Sequence, residues 1–160
     1  KISLIPFSTD ASPIQFQEDQ YFSAASTTED AAEKIIEDIK YAPRGHTNLS
    51  RAFEEAIEAM KDFEIDKMKM IVMLTDGKPN PPSVDDPQSV MKIVEENLAP
   101  RKDVVINTIG LGDEVDHHLM DRLARKTGGE YNHVTSLQGL SEAYSRYATS
   151  ISVKGTSFLD

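Results

Sequence analysis

The spacing of apolar residues changes several times along the chain. Three short runs are mainly apolar, at residues 2–7, 68–75 and 104–109. Between and after these runs, apolar residues recur every three or four positions, as on one face of a helix. Alternation of short buried strands with amphipathic helices is typical of a parallel sheet with helices on both faces. The pattern therefore predicts an α/β protein wound by right-handed crossovers.

The three runs and two shorter segments are the predicted strands. They cover residues 2–7, 14–16, 68–75, 104–109 and 130–134. Pro6 has no N–H to donate to a ladder, so it indicates a strand end or a bulge. The turn-forming residues at 10–13 predict that the first two strands form a hairpin. From Met70 onward the third strand is continuously apolar, which predicts that it is covered on both faces.

Five segments with helical spacing are predicted to be helices. A capping box formed by Ser26 and Glu29 precedes the first, which has apolar residues at 32, 35, 36 and 39. Thr47 or Asn48 caps the second. The other three begin near Pro87, Asp116 and Ser136. The buried positions predicted for the last four helices are Leu49, Ala52, Phe53, Ala56, Ile57, Met60 and Phe63; Val90, Met91, Val94 and Leu98; Leu119, Met120, Leu123 and Ala124; and Leu137, Leu140, Tyr144, Tyr147 and Ile151.

Composition and charge narrow the class of protein. The chain has 160 residues, 27 acidic and 17 basic side chains, and a formal net charge of −10. A single domain over residues 1–152 is predicted, with residues 153–160 as an unassigned tail. The acidic balance argues against nucleic acid as a partner, because such binding draws affinity from clustered Lys and Arg. The basic pairs Arg101-Lys102 and Arg125-Lys126 are interpreted as solvated surface.

Neither a membrane span nor cysteine chemistry is expected. No stretch reaches the ~20 apolar residues of a membrane span, and the first residues lack the layout of a signal peptide. The sequence contains no cysteine, which excludes disulfides, thiolate metal sites and thiol catalysis. The absence of cysteine leaves the compartment open.

Two segments at element ends are candidate binding sites. Asp76 and Gly77 directly follow the most apolar strand, where a carboxylate can serve as a hard oxygen ligand. Residues 45–49 place the hydroxyl of Thr47 at the start of a predicted helix. Ligands of parallel α/β sheets bind beyond the carboxyl ends of the strands. Taken singly, each segment has a plainer interpretation, as a turn at Asp76 and an N-cap at Thr47.

Four segments, in this order and spacing, resemble the von Willebrand factor A family over nearly the whole chain. They are similar to the family's second strand, its metal-site threonine loop, its fourth strand with an aspartate, and its fifth strand with the following helix. In this sequence they are residues 2–8, 45–49, 71–77, and 105–112 with 123–124 and 127–129. The resemblance implies a three-layer, doubly wound, mostly parallel sheet with helices on both faces, and a non-enzymatic binding module.

The resemblance also implies a metal-ion-dependent adhesion site for Mg²⁺ or Mn²⁺. Thr47 and Asp76 match two of the family's three metal-binding segments and are the predicted metal ligands. A protein partner would supply an acidic side chain that replaces a metal-bound water. The resemblance favours an extracytoplasmic or cell-surface location. The predicted rim of the ligand site is Ser8, His46, Gly77 and Lys78.

The family's other metal-binding segment, Asp-x-Ser-x-Ser after the first strand, is absent from the sequence. Asp10-Ala11-Ser12 matches only its first half and follows a different strand. On this resemblance we expect that the sequence lacks the family's first strand and first helix, and that strand is central to the family's sheet. We therefore expect strand exchange with another copy, or an additional N-terminal segment, to fill the position. We also expect weak or no metal binding by the isolated chain.

Two other functional hypotheses stay open. One is a metal-independent scaffold in which the site has decayed, and the other is a metal-assisted hydrolase that uses Asp76. The enzyme hypothesis needs a base or nucleophile near Asp76, and Asp10 and Asp113 are the only other acids at predicted strand ends. His117 and His118 diverge by about 100° on a helix and are interpreted as exposed surface. No catalytic residue is predicted.

Overall fold

The computed structural model describes residues 2–11, 13, 45–63, 67–81 and 85–156, with the backbone alone for residues 62 and 151–156. The chain divides into two compact units, which we call the helix unit and the sheet unit. The helix unit is Lys1–Ala59 with Pro79–Asp86, and the sheet unit is Met60–Lys78 with Pro87–Asp160. The predicted strand at 14–16 and the predicted helix through residues 32–39 lie outside the described residues.

The described residues form four α-helices, one short 3₁₀ helix and three strands. The helices are α1 (Leu49–Ala59), α2 (Pro87–Asn97), α3 (His117–Arg125) and α4 (Leu137–Thr156), and the 3₁₀ helix is Met60–Asp62. The strands are β1 (Lys69–Thr75), β2 (Val104–Leu111) and β3 (Tyr131–Val134). The predicted helices and strands from residue 47 onward are therefore confirmed, with shifts at their ends.

The three strands form one parallel sheet in the order β1-β2-β3. Leu74 lies opposite Ile109, and Gly110 lies opposite His133. All of β2 except Leu111 is buried, whereas most residues of β1 are half-buried. Strand β2 is covered because it has a strand on each side and helices on both faces. Among the described residues β1 pairs with β2 alone, and each of its residues is buried or half-buried.

One face of the sheet is covered by α3, and α2 packs beside α3. The buried hydroxyl of Thr108 on β2 donates to the carbonyl of Met120 on α3 at 2.9 Å. Asp116 caps α3 as predicted, because its Oδ1 accepts from the N–H of Leu119 at 2.9 Å. This cap satisfies an N–H group that has no partner within the helix.

Two glycines close the C-terminal end of α3, as predicted. Gly128 has a φ of 75°, a left-handed conformation that favours glycine. The N–H of Gly128 donates to the carbonyl of Arg125 at 3.2 Å, and the N–H of Gly129 donates to the carbonyl of Ala124 at 3.0 Å. These are the two hydrogen bonds of a Schellman motif. A Cβ on Gly129 would lie 1.9 Å from the carbonyl oxygen of Ile106, so the turn packs directly on the β2 backbone.

The opposite face of the sheet is covered by α4. The buried cluster between helix and sheet is Ile109, Val134, Ala143 and Tyr147, with Leu140 packed against it. The predicted burial of Leu137 and Tyr144 is wrong, since their exposed fractions are 82% and 42%. The small Ala143 faces the sheet and lets the helix approach closely, so the buried face is rotated away from Leu137. The helix also continues to Thr156, into the predicted tail.

With helices on both faces of a parallel sheet, the predicted α/β class is confirmed. In the helix unit, however, residues 2–7 do not form the predicted buried strand. Residues 3–6 have no regular secondary structure, and Phe7 forms an isolated antiparallel bridge with Ala11. Pro6 cannot donate to a ladder, and Ile2 is 40% exposed. No helix within the described ranges is long and apolar enough to cross a membrane.

Candidate functional site

The segment before α1 places Thr47 next to the helix cap. Asn48 is the N-cap of α1. Its Oδ1 accepts a hydrogen bond from the N–H of Arg51 at 2.9 Å, and its carbonyl accepts one from the N–H of Ala52 at 3.3 Å. The structure thus decides between the two predicted caps in favour of Asn48. The side chain of Thr47 is not used for capping.

Thr47 is held in place by its main chain. Its N–H donates to Oδ1 of Asn80 at 3.3 Å, and its carbonyl accepts from the N–H of Asn80 at 3.1 Å. The peptide bond from Asn80 to Pro81 is cis. The Thr47 hydroxyl has no hydrogen-bond partner among the described residues. Its oxygen is therefore not committed to the fold in this part of the structure.

Asp85 is a buried acid that the sequence patterns do not predict as a functional residue. It is 3% exposed. Its Oδ2 accepts from the N–H groups of Leu49 at 2.7 Å and Ser50 at 3.1 Å, and its Oδ1 accepts from the Ser50 hydroxyl at 2.6 Å. The dipole of α1 favours a carboxylate at this end of the helix. Asp85 lies 36 positions after Leu49, so no local pattern in the sequence connects them.

The loop that begins at Ser8 supports the start of α1. The Ser8 carbonyl accepts from the N–H of Asn48 at 2.8 Å, and the Thr9 carbonyl accepts from the Asn48 side-chain amide at 3.1 Å. The Thr9 hydroxyl accepts from the N–H of His46 at 3.0 Å. The Oγ of Ser8 is buried and has no hydrogen-bond partner in the described part of the chain. The loop of Ser8 and Thr9 is therefore hydrogen-bonded to His46 and Asn48, the two neighbours of Thr47 in the chain.

Asp10 belongs to the same loop. Its Oδ1 accepts from the N–H of Ala11 at 2.9 Å and from Nε of Arg51 at 3.1 Å. These two hydrogen bonds, that of Ala11 first, hold the pKa of Asp10 below its ordinary value. The carboxylate that matched half of the missing motif is thus engaged by the loop and by α1.

In the sheet unit, Asp76 follows β1 at the carboxyl edge of the sheet, as predicted. Its side chain is exposed and forms no hydrogen bond or ion pair with the rest of the described chain. The N–H of Gly77 donates to the Thr75 hydroxyl at 3.3 Å, which closes a tight turn. Lys78 is also exposed. This strand end therefore presents an uncommitted carboxylate beside a turn.

The oxygens of Ser8, Thr47 and Asp76 are of the kind that Mg²⁺ and Mn²⁺ prefer in proteins. Within the described ranges, no three His, Asp or Glu side chains are arranged to hold a metal ion. A cation bound by Thr47 or Asp76 would therefore depend on hydroxyl oxygens, water and the oxygens of a partner. Each of these oxygens suits a hard cation better than a soft one.

A parallel sheet with helices on both faces, and candidate ligand residues after its strands, defines a Rossmann-like α/β binding domain. The sequence matches the profile of the von Willebrand factor type A domain over residues 1–133. The chain belongs to this family, whose members are protein-interaction modules.

Solved structures of low sequence identity share the fold. A von Willebrand factor type A protein from Catenulispora acidiphila has a TM-score of 0.68 at 14% identity, covering 89% of this chain and 31% of its own. The conserved hypothetical protein BatB from Bacteroides thetaiotaomicron has a TM-score of 0.63 at 13% identity, covering 94% and 78%. Proximal thread matrix protein 1 from the mussel byssus, with a zinc-occupied MIDAS motif, has a TM-score of 0.59 at 21% identity, covering 91% and 34%. The chain spans about a third of the first and third proteins.

Proposed function

We propose that this domain binds a protein partner through a divalent cation, with Thr47 and Asp76 as metal ligands. The observation that supports this best is the exposed carboxylate of Asp76, which lies at the carboxyl end of β1 without a partner among the described residues. Parallel α/β sheets bind their ligands at this edge. The uncommitted hydroxyl of Thr47 offers a second oxygen of the same chemical kind.

The cation of this proposal is Mg²⁺ or Mn²⁺. Mg²⁺ takes about six oxygens in octahedral geometry and retains several as water. Thr47 and Asp76 supply two, so we expect roughly millimolar affinity, or weaker, for the isolated chain. An acidic side chain of the partner would replace one water and strengthen the complex.

The rim of the proposed site comprises Ser8, His46, Gly77 and Lys78. The exposed ammonium group of Lys78 suits an acidic partner. The proposal gives the chain no catalytic role. It also includes an extracytoplasmic or cell-surface location, which the fold similarity to a mussel byssus protein supports.

The test uses Mn²⁺ as a paramagnetic probe of the ¹⁵N-labelled chain. We expect Mn²⁺ to broaden the amide signals of Thr47 and Gly77, and Asp76→Ala to abolish that broadening. Asp113→Ala is the matched control, since this carboxylate is also exposed, by 92%, after the neighbouring strand β2. In the Asp113→Ala control, Mn²⁺ should broaden the amide signals of Thr47 and Gly77 as it does in the wild type. Both variants should keep their melting temperature, because surface changes usually stay within about 0.5 kcal/mol.

Three results would contradict the proposal. Broadening that persists in Asp76→Ala would remove Asp76 from the ligand set. No broadening of the wild type at several times the expected millimolar dissociation constant would favour a metal-independent scaffold. A melting temperature that falls strongly in Asp76→Ala, but not in Asp113→Ala, would make Asp76 a structural turn residue.

A further inference from the structure

His117, Tyr131 and His133 form a polar cluster in the sheet unit, which we call the histidine cluster. The rings of His117 and His133 have centroids 4.6 Å apart and planes inclined at 75°. Nδ1 of His117 lies 2.6 Å from the Tyr131 hydroxyl, and Nε2 of His133 lies 2.8 Å from the carbonyl oxygen of Gly112. Both histidines are exposed. The cluster uses none of the residues of the proposed Thr47–Asp76 site.

These hydrogen bonds engage one nitrogen of each ring and leave the other without a partner among the described residues. A carbonyl oxygen only accepts, so Nε2 of His133 donates to Gly112, and Nδ1 of the neutral ring keeps its lone pair. The Tyr131 oxygen can accept from Nδ1–H of His117, which leaves the lone pair on Nε2. Each imidazole thus has one nitrogen fixed by an oxygen and one available. Metal-binding histidines in proteins are held in this way.

The packing of β2 makes room for the cluster. A Cβ on Gly110 would lie 2.8 Å from the Tyr131 hydroxyl and 2.9 Å from Cγ1 of Val115, so only glycine admits both neighbours. Burial, and to a smaller extent the charge of Asp121, raises the pKa of Tyr131, which keeps its hydroxyl neutral. Asp113 adds a carboxylate 3.9 Å from Nε2 of His133, a charge favourable to a nearby cation.

We infer that His117 and His133 bind a transition-metal ion such as Zn²⁺, through Nε2 and Nδ1 respectively. A Zn–N bond of about 2.0–2.1 Å puts the centroid of an imidazole ring about 3.2 Å from the ion. If the N–Zn–N angle is roughly 90–110°, the centroids of two such rings are therefore about 4.5–5.2 Å apart. The observed 4.6 Å lies in this range. Imidazole suits Zn²⁺ and Cu²⁺ rather than Mg²⁺. Water or a partner's side chain would fill the remaining positions.

The test measures Zn²⁺ binding to the tag-free chain by titration calorimetry near neutral pH. The chain has four histidines, and His118 is an exposed neighbour of His117 outside the cluster. We expect one ion per chain, at least about tenfold weaker binding in His117→Ala and in His133→Ala, and no change in His118→Ala.

Two further variants sharpen the assignment. Tyr131→Phe keeps the ring but removes the oxygen that orients His117, so Zn²⁺ affinity should fall about tenfold without a large change in melting temperature. Asp76→Ala should leave Zn²⁺ binding intact, and this separates the cluster from the proposed interaction site.

Zn²⁺ binding that is as strong in His117→Ala and His133→Ala as in His118→Ala would overturn the inference. Absence of binding to the wild type at 100-fold excess of Zn²⁺ would do the same. If a variant fails to fold, the ring ¹⁵N signals of the wild type decide. Zn²⁺ must then shift those of His117 and His133, and leave those of His46 and His118 unchanged.

Discussion

Asp103 lies at the amino end of the sheet between two cations. Arg101 donates to it through Nε at 3.1 Å and Nη2 at 2.8 Å, and Nζ of Lys69 donates at 2.8 Å. The Lys69 side chain is 7% exposed and that of Asp103 is 16% exposed. Arg101 first, and then Lys69, hold the pKa of Asp103 far below its ordinary value of 3.8. Arg101 was predicted, with Lys102, to be solvated surface, but its guanidinium group is a structural ion-pair partner of Asp103.

Acid should weaken this ion-pair group. Because the folded-state pKa of Asp103 is depressed, the group stabilises the fold above the unfolded pKa near 3.8. That contribution is lost as the pH falls below this value toward the folded-state pKa. We expect Asp103→Asn to lower the free energy of unfolding by about 3 kcal/mol at neutral pH. The variant should also lose less stability than the wild type between about pH 4 and pH 2. Urea unfolding across this range measures both effects.

Asp121→Asn is the control for Asp103→Asn. Asp121 accepts from Arg125 at 2.8 Å, but Arg125 is 76% exposed and Asp121 39%. Exposed pairs within a helix contribute little, because water screens them. Equal losses of stability in the two variants would show that the burial of the Asp103 group has no energetic consequence.

Helices α1 and α3 begin with different kinds of cap. In α3 the cap is local, since Asp116 immediately precedes the helix and accepts from Leu119. In α1 the local cap Asn48 is joined by the distant Asp85, which accepts from Leu49 and Ser50. Asp85 is buried. If its carboxylate were removed, water could not reach the N–H groups of Leu49 and Ser50, and they would lose their hydrogen-bond acceptor.

This contrast between the two caps gives a prediction. We expect Asp85→Ala to lower the free energy of unfolding by about 3 kcal/mol, because several hydrogen bonds to a buried charge are lost. Asp116→Ala should cost only about 1 kcal/mol, the usual value for an N-cap. Chemical unfolding of both variants measures the difference. Near-equal losses would indicate that Asp85 acts as an ordinary cap.

At the scale of the whole molecule, β1 is the edge of the sheet formed by the described residues. It pairs with β2 on one side, and its residues are mainly apolar on both faces. An apolar edge strand is a template for pairing with another strand. The expectation of a further strand beside β1 therefore stands as a prediction.

We predict that strand exchange between copies fills the position beside β1, so the chain should be an oligomer in solution. Light scattering after size exclusion measures its mass. Hydrogen exchange provides an internal control, because Thr108, Ile109 and Gly110 of β2 pair with strands on both sides and their amides should exchange slowly. A monodisperse monomer would contradict the prediction, and slowly exchanging outward amides of β1 in that monomer would show that a segment of the same chain pairs with β1.

The sequence by itself determined the features that depend on near neighbours. The apolar runs predicted β1 and β2, because a strand covered on both faces requires continuous apolar residues. Asp116 and Gly128 predicted the ends of α3, because caps act within one helical turn. Asp76 was likewise predicted at a strand end, since it directly follows such a run. The prediction of a buried strand at residues 2–7 was wrong, because strand pairing depends on partners that local composition does not reveal.

Tertiary structure alone decided the features that join distant parts of the chain. The burial of Ala143 in place of Leu137 depends on how α4 lies against the sheet, and helical spacing does not specify that rotation. The cap of α1 by Asp85 spans 36 positions. The histidine cluster likewise requires α3 and β3 to meet beside the end of β2. Such contacts are set by the packing of whole elements, and the residue types alone leave many packings possible.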